Sequence, residues 1–247
     1  MFELTNRDYA HFGFDDYDLE AQLIAIKGFL IRSRTVEDEE AAEIKRLAKR
    51  AEEIGSEHLI GMYTDAAHAS VYSDAARAAA AIGMLAPFVE NLFTGLFREI
   101  GKMEDDYLGR DKDSKRSKLS RAHFWNPHVM YASREPKQNL TAGIMQLAEA
   151  TRLLPRLPVD TTKVLEALFE YRNAMLHDGF EWPLDRREKF AQRVKTWEPT
   201  WFMSALSNHK PWVWYATEVF FARVLDFIDE VMDAAGAHVR EVYYPDN

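Results

Sequence analysis

The chain has 247 residues and 28.6 kDa, and its 47% apolar and 13% aromatic content is enough for a sizeable core and excludes general disorder. A net charge of −9 excludes a protein that coats nucleic acid through its overall charge, and the absence of cysteine excludes disulfides and thiolate sites. The start, MFELTNRDYAHFGFDDYD, has no basic segment followed by an apolar run, and no stretch reaches the roughly 18 uninterrupted apolar residues of a membrane span, so a cytoplasmic protein without membrane contact is expected.

Helical periodicity runs through nearly the whole chain. Residues 16–31 carry Leu19, Leu23, Ile26 and Leu30 at helical spacing. Thr35 is the expected N-cap of a second, charged helix that ends at Gly55. A shorter segment covers 57–70, and Ser73 is the expected cap of a long helix kinked at Pro87. Residues 1–72 thus read as an N-terminal helical extension and 73–247 as the main body. From 104 to 136 there is no sustained period, and Gly109 and Asn126-Pro127 mark a long excursion between core helices.

Helices resume at 139–154 and again from Asp160 to Leu176, with Asp178-Gly179 and Pro183 as the stop. A basic amphipathic helix over 184–197 and a last apolar helix opening at WVWYATEV complete the pattern. No alternating run of strand length stands out. The expected class is all-α, a helical bundle.

Two basic runs interrupt the acidic background. Residues 110–121, RDKDSKRSKLSR, hold six basic and two acidic residues, and 185–195, DRREKFAQRVK, hold five and two. Solvated faces account for such runs, and so does a local phosphate-binding site. Phe124 and Trp125, beside the first run, are placed either to stack on unpaired bases or to anchor the loop to the core. His123 and His128 do not form a recognised metal spacing, and no metal or cofactor is expected.

The stretch EYRNAMLHDGFEWP, residues 170–183, sharpens the question of function. On a helical wheel Arg172 falls within about 60° of Leu165, Leu168, Phe169, Met175 and Leu176, in the middle of an apolar stripe. A guanidinium there needs a carboxylate, a set of carbonyls or a wet cleft. His177 lies about 140° from Arg172, whereas Asn173 and His177 share a face. A single straight helix therefore does not aim the arginine and the histidine at one bond. A helix break or a second chain would bring such groups together. A structural reading stands beside this one, in which both residues serve the helix terminus or an ion pair with Glu90.

The segment Arg172-Asn173-Ala174-Met175-Leu176-His177 resembles the arginine, four to six residues, histidine motif of the HEPN superfamily, including the polar residue after the arginine. Glu90-Asn91 in the upstream helical segment PFVENLF and the apolar helix downstream extend the likeness over roughly residues 73–236. The resemblance implies a HEPN-like bundle that forms a homodimer and, in active members, a metal-independent endoribonuclease acting as a toxin or defence effector. It implies that His177 serves as general acid or base, that Arg172 holds the phosphate, and that Asn173 orients one of them, with Glu90 and Asn91 in support. Lys115, Arg116, Lys118 and Arg121 are then the candidate RNA contacts. RNA is the implied substrate, and an antitoxin or regulatory protein the implied partner. Members that bind RNA, nucleotide or protein without cutting supply the alternative. In the subgroup controlled by a nucleotidyltransferase antitoxin a tyrosine stands two residues after the histidine, and here that position is Gly179.

Overall fold

The computed structural model describes residues 4–11, 18–104, 110–120, 122–133 and 135–245. Among them are eight α-helices: α1 (Asn6–His11), α2 (Leu19–Ile54), α3 (Glu57–Met103), α4 (Lys115–Leu119), α5 (Leu140–Ala150), α6 (Thr161–Asp178), α7 (Leu184–Val194) and α8 (Glu218–Tyr243). The protein is mostly helical, as the periodicity requires. It also carries two antiparallel hairpins that the sequence reading leaves out: β1 (Val129–Tyr131) with β2 (Pro136–Gln138), and β3 (Phe202–Ser207) with β4 (Lys210–Ala216).

The first helices are longer and fewer than expected. Thr35 does not cap a new helix; α2 runs through it, and its hydroxyl donates back to the Ile31 carbonyl at 3.3 Å. Ser73 likewise lies inside α3, so the helix boundary expected there is absent. Pro87 is exposed within α3, and the carbonyl it leaves without a helical partner belongs to Gly83, which is exposed as well. The helix expected to open at WVWYA opens instead at Glu218, because residues 210–216 pair with 202–207.

The chain divides into two compact units, which interleave in sequence. One comprises residues 1–19, 86–166 and 223–247. Its core joins the second part of α3 to α8: Phe93 stacks near Phe97 and Phe227, and Val89, Leu92, Leu96, Val224, Ile228 and Val231 are buried with them. Asp160 receives the Arg223 guanidinium on both oxygens at 2.6 and 2.8 Å, which also lowers the Asp160 pKa. The other unit comprises 20–85 and 167–222. There Tyr171, Trp182, Phe190, Trp197, Phe202 and Trp214 form one aromatic cluster between α6, α7 and the second hairpin. In that unit Arg77 joins Glu37 and Glu218 through hydrogen bonds of 2.6 and 2.9 Å.

Candidate functional site

The site is built where α6 turns into α7. Gly179 ends α6 in the left-handed region at φ 68°, with its N–H bonded to the Met175 carbonyl at 2.9 Å. Trp182 Nε1 donates to the Gly179 carbonyl at 2.8 Å, and Pro183 stands at the N-cap of α7. The turn brings the last two turns of α6 beside α7. Between them lies an open groove of about 280 Å³, lined by Glu170, Asn173, Ala174 and His177 from α6 and Arg186, Lys189, Phe190 and Arg193 from α7.

Asn173 and His177 share this groove, as their spacing requires, and both are exposed. Arg172 does not line it. It is half-buried, its guanidinium 5.0 Å from the Phe169 ring centre, and its Nε and Nη2 donate to Asn173 Oδ1 at 3.2 and 3.1 Å. The apolar stripe around it is narrower than the wheel predicts. Leu165, Leu168 and Phe169 are buried, but Leu176 is 69% exposed, and it is Tyr171 that fills the interior and donates to the Trp214 carbonyl at 3.2 Å.

Every cation of the groove has a carboxylate. Arg186 pairs with Asp178, Lys189 with Asp185 at 3.4 Å, and Arg193 Nε donates to both oxygens of Glu170 at 3.0 and 2.9 Å. These pairs are exposed enough for each to contribute only about 0–1 kcal/mol, so an incoming anion can displace them. Arg193 also sits 5.3 Å from the Trp197 ring, which fixes its stem.

The first basic run is placed differently from the second. Arg116 is fully buried and is a structural group, not an RNA contact. Its Nε donates to the Phe124 carbonyl at 2.6 Å, Nη1 to Val129 at 2.7 Å, and Nη2 to Asn126 and His123 at 2.8 and 3.3 Å. The rings of Phe124 and Tyr131 lie 5.5 and 5.3 Å from it, and burial pushes its pKa down to about 10, still cationic at neutral pH. Lys115 and Lys118 are exposed, Lys118 being 3.3 Å from Asp113, while Arg121 lies outside the described residues. Phe124 is buried and Trp125 packs against α3 at Gly101, so these two rings anchor the loop.

Glu90 is half-buried and has His128 Nε2 at 3.7 Å, while Asn91 is exposed; both belong to the unit that does not contain the groove. Among the described residues no three His, Asp or Glu side chains gather as metal ligands do. The basic residues of 185–195, for which a solvated face and a local phosphate-binding site stand side by side, include Arg186, Lys189 and Arg193 of the groove, which the candidate site residues leave out.

Comparison with protein-family models, with curated proteins and with solved structures finds no match.

Proposed function

We propose that this protein is a metal-independent endoribonuclease of HEPN type, a cytoplasmic toxin or defence effector whose reaction centre is the groove that holds His177. The observation that supports this most is the convergence of Asn173 and His177 on one open groove with three cations. His177 is exposed, so its imidazole is open to a substrate and can move a proton. It takes the proton of a ribose 2′-hydroxyl, whose oxygen attacks the adjacent phosphorus; the bond from phosphorus to the 5′-oxygen breaks, and that oxygen takes a proton as it leaves. The products are a 2′,3′-cyclic phosphate and a 5′-hydroxyl. Asn173 presents its carboxamide to the phosphate or to His177, held by the guanidinium of Arg172.

Arg172 lies outside the groove of its own chain, and a homodimer that supplies groups from both chains is the natural completion of this site. End-group analysis of the products tests the chemistry. Cyclic phosphate termini, and no cleavage of a strand whose 2′-hydroxyls are methylated, are expected; 3′-hydroxyl termini would refute it. The second reading, a module that binds RNA, nucleotide or protein without cutting, draws on the pairing of every groove cation with a carboxylate, and predicts binding that survives His177→Ala.

A further inference from the structure

Arg186, Lys189 and Arg193 follow one another along α7 at intervals of three and four residues, so they form a row on one helix face, and all three line the groove. The row extends about 10 Å along the helix axis. That length exceeds what a single phosphate needs. A mononucleotide would engage one end of the row and leave the other cations in their carboxylate pairs, whereas a strand lying along α7 meets each cation in turn.

The counter-ions are arranged to permit this exchange. Asp178, Asp185 and Glu170 each hold one cation of the row, and each pair is partly exposed, with side-chain exposures of 43% and 21% for Arg186 and Asp178, 79% and 72% for Lys189 and Asp185, and 39% and 43% for Arg193 and Glu170. Glu170 itself lines the groove. Its carboxylate occupies Arg193 where a phosphate oxygen would otherwise bind, which makes it an internal competitor of the ligand.

From this geometry we infer that α7 carries successive phosphates of a single RNA strand past His177, with Arg186, Lys189 and Arg193 as the contacts and Glu170 as the group that the strand displaces. The inference rests on the reading of the groove as an RNA site. It assigns strand positioning to α7, a helix outside the Arg172–His177 motif, and it gives Glu170 the role of weakening ground-state binding.

The experiment is a salt titration of binding to a fluorescent, uncleavable 2′-O-methyl RNA of about 12 nucleotides. The full chain is compared with Arg186→Gln/Lys189→Gln, with Glu170→Gln, and with Lys45→Gln/Lys49→Gln on α2, which removes the same charge elsewhere. All are checked by circular dichroism. The expected result is binding roughly tenfold weaker for the α7 double variant, with a logarithmic salt slope shallower by about 0.7 for each cation removed. Glu170→Gln should bind roughly threefold tighter, and the α2 variant should match the wild type.

Wild-type binding with an unchanged slope in the α7 variant would overturn the inference and leave the RNA reading standing. An equal loss in the α2 variant would overturn it in favour of net charge alone. Unchanged or weaker binding by Glu170→Gln would overturn the competitor role. No binding by the wild type at low salt would overturn both the inference and the reading beneath it.

Discussion

Arg172 holds Asn173: two guanidinium nitrogens, Nε and Nη2, donate to one carboxamide oxygen at 3.2 and 3.1 Å. This bond occupies the carboxamide oxygen and leaves the amide N–H groups as the donors of Asn173, which lines the groove beside His177. Within one chain the motif arginine therefore positions its neighbour. Arg172→Gln should lower the RNA cleavage rate by roughly 100-fold or more while costing only about 1–2 kcal/mol of stability, since the side chain is half-exposed. Thermal unfolding beside cleavage assays separates the two effects, and a loss of activity matched by global unfolding would contradict this role.

Arg116 presents the opposite case. Its donors satisfy four backbone carbonyls in a fully buried setting, so Arg116→Met leaves those carbonyls without partners. A loss of about 3–5 kcal/mol is expected by analogy with breaking a buried charged network. Denaturant unfolding of the full chain measures it. Lysine should rescue little, because one ammonium cannot reproduce the planar fork.

His238 makes stability depend on pH. It is buried, its Nε2 has no hydrogen-bond partner among the described residues, and burial together with Arg156 and Arg110 pushes its pKa down to about 4, against the weaker pull of Glu104 and Glu241. The unfolded chain then binds the proton at a pKa near 6.5, before the folded one does. Stability is full above about pH 6.5 and falls as pH drops towards 4, by on the order of 3 kcal/mol at most. His238→Phe should flatten the unfolding midpoint across that window, and a wild-type midpoint that does not move between pH 7 and pH 4 would contradict the assignment.

Gly143 sits where α5 meets the loop before β1. A Cβ built there would lie 2.0 Å from the Pro127 carbonyl oxygen and 2.8 Å from that of Val129, both backbone atoms. Gly143→Ala should cost about 3 kcal/mol or more despite alanine's better helix propensity. A variant as stable as the wild type would show that the loop yields.

What the sequence made legible was local. The buried positions Leu19, Leu23, Ile26 and Leu30 and the Asp178-Gly179 stop follow from periodicity and from a glycine with positive φ. The shared face of Asn173 and His177 follows from the same period, and both line the groove. Where alternatives were close in local energy, tertiary pairing decided. Thr35 and Ser73 are good caps in isolation, yet the helices continue through them. The run KPWVWYA is short, apolar and aromatic, a pattern that suits a strand or a helix; its pairing with 202–207 through Asn208 and His209, both at positive φ, gave no Asn-Gly signal. Burial of Arg116 was not legible at all, because its four partners are backbone carbonyls that any sequence would offer.

The most direct test of the proposed ribonuclease is incubation of the purified protein with mixed single-stranded RNA in EDTA, wild type beside His177→Ala. His177 is exposed, so the variant should keep the wild-type fold by circular dichroism. Cleavage by the wild type that persists in EDTA and disappears in the variant is the predicted result. Equal cleavage by both proteins, or none by a folded wild type under conditions where it binds the RNA, would contradict it.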